Sequence, residues 1–319
     1  MDEAEAMASK TANLMAACDK FVTWSQTADM SLPSTFDWVA SQMHGINHCV
    51  FEAETAGVEK AAILEMLNDV RGIQARSPFV SRLQQWPRGY QGDFETVEYL
   101  MESANRANPN TVAYWVEKYC LNTAVAQQHR NKVRFQSEQI TSAILAGEKR
   151  GVPARILILA CGSSPDVRLC FDQIKGSDFL LVLNDMDDAA LEFSMEKLAG
   201  LGDRVKSISG NTFRLINKFC ADGPFDLILA GGLFDYLKDD QAAFLIKSIT
   251  SKLLSANGKF VLTNIAKPNP YKYWMEYCAN WFLIERTEED CKSLLNEDDN
   301  NISIRRENSD LSFLVEICR

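Results

Sequence analysis

The stretch from Ala154 to Asp187, ARILILACGSSPDVRLCFDQIKGSDFLLVLNDMD, limits what this chain can fold into more than any other part of it. It opens on the apolar run Ile156, Leu157, Ile158, Leu159, Ala160, the pattern of a parallel strand buried on both faces. A tight turn through Gly162, Ser163, Ser164 and Pro165 follows, then a helical segment carrying Val167, Leu169, Cys170 and Ile174. A second apolar run, Phe179 to Leu183, meets Asn184 and Asp185. Strand, small-residue turn, helix, strand and acid form the frame of a nucleoside site in an α/β sheet. The turn brings backbone N–H groups to the ligand, and the acid accepts both hydroxyls of a ribose.

The turn decides which nucleoside fits. A dinucleotide site needs G-x-G-x-x-G so that a pyrophosphate lies on the backbone at a helix start. Here Gly162 is followed by Ser-Ser-Pro-Asp, and Asp166 puts a negative charge at that helix start, which suits a cation. No G-x-x-x-x-G-K-[ST] is present, which excludes a P-loop. The ligand that fits is a sulfonium bearing an adenosine and a free amino-acid end: S-adenosyl-L-methionine, with S-adenosyl-L-homocysteine as product. Ala160 and Gly162 in the turn, with Asp185 and Met186 after the second strand, are its expected contacts.

The rest of the chain organises around this unit. Residues 1–150 read as a helical domain, a cap or lid or an interface, with helices near 3–28, 34–50, 55–71, 92–105, 110–120 and 122–148. Residues 151–319 read as an S-adenosylmethionine-binding domain, and Gly151 and Pro153 mark the handover. Strands are predicted at about 155–160, 179–184, 204–208, 225–230, 259–264, 302–306 and 311–317. The last two are joined only by Glu307 to Asp310, which leaves no room for a crossover helix and makes them an antiparallel hairpin. The fold class is therefore α/β and Rossmann-like: a seven-stranded, mostly parallel sheet with an antiparallel last strand, as in class I methyltransferases, preceded by an all-helical region.

Open parallel sheets bind ligands beyond the carboxyl ends of their strands, so three further segments carry candidate residues. After the third strand, Asn211 and Thr212 are placed to meet an adenine edge; the same residues would also cap a helix. After the fourth, Gly231 lets the backbone approach the methionine part, with Phe234, Asp235 and Tyr236 facing the reaction space. After the fifth come Asn264 and then Tyr273, Trp274, Glu276 and Tyr277, a segment that would wall a substrate pocket or else pack as an amphipathic helix. A carboxylate acceptor is ionised at neutral pH and needs no base; for a hydroxyl or amine, Asp235, Tyr236, Tyr273 and Glu276 are the candidate bases.

These motifs carry a resemblance. LACGSSPDVR (159–168), the Asp185 region, AGGLFDYLKDD (230–240), TNIAKPNPYKYWMEYCANWFLIERTEED (263–290) and QHRNKVR (128–134) resemble the class I S-adenosylmethionine-dependent methyltransferases of the extracellular-factor, 3-hydroxypalmitic acid methyl ester biosynthesis family. The resemblance covers about 120–319 and departs at Ser163-Ser164-Pro165, where relatives carry Pro-Ala-Arg. It implies methyl transfer to a small acid, giving a methyl ester, and a basic residue before the first strand that binds the cofactor's carboxylate. Arg130 and Arg134 lie one helical turn apart. Arg134 would hold that carboxylate and Arg130 an anionic substrate.

Composition narrows the alternatives. A net charge of −10 over 319 residues argues against a nucleic-acid or membrane surface as partner. Nine cysteines without a C-x-x-C pair suit free thiols in a reducing cytoplasm. Only His44, His48 and His129 occur, and no metal site is expected. No long apolar run suggests insertion in a membrane, so the expected location is cytoplasmic. The expected partner is a small-molecule substrate, and the N-terminal helices are where a homodimer would form. Two other readings compete: an N- or O-methyltransferase for an amino acid or amine in natural-product biosynthesis, and a non-catalytic methyltransferase-like binding protein.

Overall fold

The computed structural model of this chain describes residues 3–295 and 301–319. It contains two compact units: the chain up to Ala126 together with Pro270–Phe282, and Gln127–Asn269 together with Leu283–Arg319. The units thus divide at different residues from the 150/151 boundary expected from sequence. The helix before the first strand goes with the sheet, and 270–282 goes with the helices.

The helical unit contains α1 (Glu3–Thr27), α2 (Thr35–Thr55), α3 (Lys60–Met66), α4 (Asn68–Gln74), α5 (Pro78–Gln85), α6 (Phe94–Glu102) and α7 (Val112–Asn122). The single helix expected over 55–71 is broken, because Gly57 turns left-handed at φ +86° and α3 gives way to α4 at Leu67. Helix α5 was not expected: Ser77-Pro78 is a helix start, with the Ser77 hydroxyl accepting from Val80 N–H and Pro78 in the first turn. In α2, Val39, Met43, Ile46, Val50 and Ala53 form a buried stripe at three- and four-residue spacing. Trp24 and Trp38 stack at 3.9 Å between ring centroids. Fully buried Glu117 accepts from Ser77 Oγ (2.8 Å), Phe79 N–H (3.2 Å), Tyr99 OH (2.7 Å) and Arg106 N–H (2.5 Å).

The same unit holds the 270–282 segment through polar contacts. Asn47 accepts from Trp274 N–H at 2.8 Å and donates to Pro270 O at 2.8 Å. Gln74 accepts the Trp274 indole N–H at 3.1 Å, and Glu54 accepts the Tyr277 hydroxyl. Arg71 donates to Tyr277 O and to Asn280 Oδ1. Gln84 donates to Cys278 O, and Gln91 to Phe282 O.

The second unit is a seven-stranded sheet made of β1 (Ala154–Leu159), β2 (Phe179–Asp185), β3 (Val205–Ser209), β4 (Phe225–Ala230), β5 (Leu254–Ile265), β6 (Asn301–Arg306) and β7 (Ser312–Cys318). The order is β3-β2-β1-β4-β5-β7-β6, with every pairing parallel except those of β7. This is the strand order of the class I methyltransferase fold, and the order reverses between β1 and β4, the point beyond whose strand ends open α/β sheets bind ligands. Helices α8 (Ala124–Arg150), α9 (Pro165–Ile174), α10 (Asp188–Lys197), α11 (Thr212–Phe219) and α12 (Asp239–Lys252) accompany it.

Both faces of the sheet are covered, as the unbroken apolar runs require. Leu157, Leu159, Val182, Ile228, Phe260 and Leu262 pack with Ala242, Leu245, Ile246 and Ile249 of α12. Ile156, Ile158, Leu181, Leu183, Leu227 and Leu229 pack with Ile140 and Ile144 of α8 and Val167, Cys170 and Ile174 of α9. Between β6 and β7, Asp310 is left-handed at φ +63° and Glu307 closes the turn, its carboxylate accepting from Ser309 and Leu311 N–H. Among the described residues no helix is long and apolar enough to cross a membrane, and no group of three or more His, Cys, Asp or Glu could hold a metal ion.

Candidate functional site

The turn after β1 holds three residues at positive φ: Ala160 (48°), Gly162 (54°) and Ser164 (50°). For alanine and serine this conformation costs about 1–3 kcal/mol each, and it persists only where surrounding bonds enforce it. Those bonds are present. Cys161 N–H donates to Asn184 O at 2.9 Å, and Ser164 N–H to Cys161 O at 2.9 Å. Ser194 Oγ donates to Gly162 O at 2.9 Å. Gly162 N–H donates to Asp185 Oδ2 at 2.8 Å, and Asp187 N–H to Asp185 Oδ1 at 3.0 Å. Burial raises the Asp185 pKa against the opposing pull of the Asp187, Gly162 and Met186 N–H groups. A carboxylate has about four acceptor positions, so these N–H groups leave at least one of them for a ligand. Met186 next to it is 69% exposed, and Asn211 Nδ2 lies 3.7 Å from its sulfur.

Asp166, in the first turn of α9, is buried, and its carboxylate accepts from Val167 N–H at 2.9 Å. Burial pushes its pKa up to about 6, against the pull of that N–H and of Arg168. An acid whose folded pKa exceeds its unfolded value of about 4 contributes full stability below that value and loses it as pH rises through the folded pKa. Asp166→Asn, which keeps an acceptor for Val167, is therefore expected to exceed the parent by about 1–3 kcal/mol at pH 8 and to match it near pH 3.5. Urea denaturation at the two pH values measures this, and a gap independent of pH would contradict it.

Helix α8 brings two polar stripes to the strand ends. On one, Thr141 Oγ1 donates to Gln173 Oε1 of α9 at 3.3 Å, and Ser137, Arg134 and Arg130 continue the stripe toward the helix start. Arg130 donates from Nε and Nη2 to Gln127 Oε1 at 3.2 and 3.1 Å, and Arg134 Nη1 donates to Asn131 Oδ1 at 3.4 Å. Burial and the neighbouring Arg134 charge hold the Arg130 pKa below its ordinary value. On the other stripe, buried Lys132 Nζ lies 3.4 Å from Asp235 Oδ2, while Asp235 Oδ1 accepts from Ile265 N–H at 2.6 Å.

One turn on, the Gln136 carboxamide covers Gly231: a Cβ there would sit 2.2 Å from Gln136 Nε2. A side chain at 231 would have to displace the end of the Gln136 side chain. Gly231→Ala is expected to lose about 1 kcal/mol by displacing the Gln136 carboxamide, and adding Gln136→Ala should recover most of it. Additive losses in a double-mutant cycle would break this link.

The structure brings together Ala160, Gly162, Asp185, Met186 and Asn211 at the ends of β1 to β3, and it corrects several other expectations. Phe234 is fully buried against Phe260 at 6.1 Å between centroids, so its ring belongs to the core and not to a reaction space. Asn264 is 1% exposed, with its amide nitrogen on Ile265 O and Ile284 O and its oxygen on Arg286. The Thr212 hydroxyl donates to Asn184 Oδ1 at 2.7 Å, and Asn211 caps α11 by accepting from Phe213 N–H. Trp274 and Tyr277 are buried in the helical unit, Glu276 pairs with Lys272 at 2.7 Å, and the Tyr273 ring lies 5.3 Å from Phe51. Asp235 is tied to Lys132 and Ile265, whereas Tyr236 is 37% exposed.

Three residues that sequence reasoning missed hold the loop after β4: Lys132, Gln136 and Arg286. Only the first two had a signal, their helical spacing beside Arg130 and Arg134.

Among known structures, the chain is similar to one described as a possible exported protein from Bordetella parapertussis, with a TM-score of 0.58 and 13% identity, covering 100% of this chain and 97% of that one. That likeness is one of fold. The pyocyanin biosynthetic protein PhzM aligns at a TM-score of 0.45 and 14% identity, over 80% of this chain and 72% of that one. An O-methyltransferase family protein from Burkholderia thailandensis aligns at 0.44 and 14%, over 64% and 62%. No protein-family model matches the chain, and no curated protein does.

Proposed function

We propose that this protein is an S-adenosylmethionine-dependent methyltransferase whose acceptor is a small carboxylic or hydroxy acid. The observation that carries the reading is the Asp185 carboxylate at the end of β2, fixed by Gly162 and Asp187 N–H with acceptor capacity left over. The surrounding residues fit the cofactor. Asp185 would take the ribose hydroxyls, Met186 and Asn211 the adenine, the Ala160–Gly162 backbone and Gly231 the methionine chain, and Arg134 its carboxylate. Asp166 keeps a buried carboxyl near the same turn at a cost in stability, which is understandable if it answers a cation. Bound there, S-adenosylmethionine supplies an electrophilic methyl group.

The chain's own task is then to align the acceptor and exclude water, which accounts for up to about 7–11 kcal/mol of rate enhancement in favourable cases. An acid fits better than an amine. An amine acceptor would call on Asp235 and Glu276, and both are paired with lysines. Arg130, whose guanidinium is held below its ordinary pKa by burial and Arg134, gains from an anion beside it. The resemblance of 128–134 and 230–290 to the extracellular-factor family points to the same product, a methyl ester.

Isothermal titration with S-adenosylmethionine, S-adenosylhomocysteine and NAD tests the cofactor. Binding of the first two with Kd on the order of micromolar and none of NAD is expected. Transfer of labelled methyl groups to hydroxy acids and amino acids then sorts the acceptor. No affinity for either sulfur ligand would make the chain a binding protein on a methyltransferase fold.

A further inference from the structure

Gln128, Lys132 and Gln136 follow one another at four-residue spacing on one face of α8, and all three are buried. Gln128 donates to Ser312 Oγ, and Lys132 Nζ lies 3.4 Å from Asp235 Oδ2. Gln136 differs. It is 6% exposed and its carboxamide rests on Gly231, yet it makes no hydrogen bond among the described residues. Neither amide atom is fully shielded from solvent. Buried polar side chains are as a rule bonded, so an unbonded carboxamide that stays open on one side stands ready for a ligand.

The strand register indicates which part of a ligand reaches it. Leu159 pairs with Asn184 of β2, and Ile158 with Leu229 of β4. Asp185, Ala160 and Gly231 therefore come next, side by side. Neighbouring strands are about 4.8 Å apart, which sets Asp185 and Gly231 about 10 Å apart with Ala160 between them. This row is open to solvent: Ala160 is exposed, and Asp185, Gly231 and Gly232 are half-buried. A nucleoside whose ribose sits on Asp185 carries its 5′ sulfur over Ala160. The far end of its homocysteine chain then arrives at Gly231, under Gln136.

That end is an α-ammonium beside an α-carboxylate, without net charge. A carboxamide offers an acceptor oxygen and an NH2 donor, also without net charge, so it can serve both groups together. The neighbouring charges agree with a zwitterion. Lys132, next on the stripe, is balanced by Asp235, and the pair favours neither a lone anion nor a lone cation.

We propose that Gln136 recognises the amino-acid end of S-adenosylmethionine: Oε1 accepts from the α-ammonium and Nε2 donates to an α-carboxylate oxygen. Gln136 is then the residue that separates the intact cofactor from nucleosides lacking the amino acid. This rests on the methyltransferase reading of the same site.

The test is calorimetric titration of the parent, Gln136→Met and Gln136→Ala with S-adenosylhomocysteine and with 5′-methylthioadenosine, which keeps the nucleoside and the thioether but has no amino acid. The parent should prefer S-adenosylhomocysteine. Each variant is expected to lose about tenfold in affinity for it, as hydrogen bonds to charged groups are lost, and to hold 5′-methylthioadenosine within about twofold of the parent. Gln136→Met orphans no protein group, so it should melt no lower than the parent; the alanine variant covers the case in which methionine does not fit. Equal losses for both ligands, S-adenosylhomocysteine affinity unchanged in both variants, equal binding of the two ligands by the parent, or two variants that no longer fold would overturn this role and leave the cofactor assignment standing. A parent that binds neither nucleoside would overturn the methyltransferase reading and this proposal with it.

Discussion

Asp185→Ala is expected to weaken S-adenosylmethionine binding about 100-fold, because hydrogen bonds to a charged group contribute roughly 1.5–3 kcal/mol each and the ribose offers two. The substitution acts in a second way as well. Gly162 N–H and Asp187 N–H lose their acceptor, and the turn that holds Ala160 and Ser164 in left-handed conformations loses one of its restraints. Two opposing terms then set the change in fold stability. The orphaned N–H groups cost about 1–3 kcal/mol, while removing a carboxylate whose pKa burial has raised gives some of that back. Binding should therefore fall far more than the melting temperature. Calorimetric titration and thermal melts on the same sample separate the two. Asp185→Asn keeps an acceptor for Gly162 but sets an amide donor against Asp187 N–H, so it should spare the Gly162 turn, lose the Asp187 bond and still lose most of the affinity. Affinity within threefold of the parent in the alanine variant would remove Asp185 from the ribose and the present functional reading with it.

The parts of the molecule that were legible in the sequence are those whose physics is local. Parallel strands buried on both faces read as unbroken apolar runs, and each of the seven strands falls within a few residues of its expected place. The short Glu307–Asp310 connection permits only a hairpin, which yields the reversed strand. Partnerships between distant polar residues were not legible. Asn264 and Asp235 look like ligands because they are polar residues at strand ends. A buried amide or carboxylate must be satisfied somewhere, however, and their partners, Arg286 and Lys132, lie 22 and 103 residues away. Phe234 follows two glycines in an apparent ligand loop, but the short turn Leu233–Tyr236 folds the ring into the core. The aromatic segment after β5 reads equally well as a pocket wall or a packed helix. What decides is a set of side chains on α2, α4 and α5 that bond it, invisible from the segment itself.

Arg286→Met is expected to be the most destabilising single change in the α/β unit, because Arg286 is a nearly fully buried cation whose fork organises the loop after β4. Its Nη1 donates to Phe234 O at 2.9 Å and to Asn264 Oδ1, and its Nη2 to Leu237 O at 2.6 Å. Nε and Nη2 reach Asp239 Oδ1 at 3.1 and 2.8 Å, in the first turn of α12. All five donors of the guanidinium are thus used. Methionine fills much of the volume but leaves Leu237 O and the Asn264 amide oxygen without donors in the interior, and Phe234 O with only Leu237 N–H. Breaking a buried charged contact of this kind costs about 3–5 kcal/mol, which lowers the melting temperature by on the order of 10 °C. Asp239 is a minor part of that sum, since its side chain is largely exposed and the ion pair is screened. Asp239→Asn should therefore cost less than about 1 kcal/mol, and this difference separates the role of the fork from that of the charge pair. Arg286→Lys keeps the charge but not the planar fork, and should fall between the two. Because Asn264, Phe234 and Leu237 hang on the same guanidinium, the methionine variant should also loosen the loop that carries Gly231 and Asp235. The expected sign is faster amide exchange at 231–239 than in the parent, with protection in β1 and β2 retained. A melting temperature within 2 °C of the parent would mean that water or a rearranged loop replaces the fork, and the buried arginine would then be dispensable to the site.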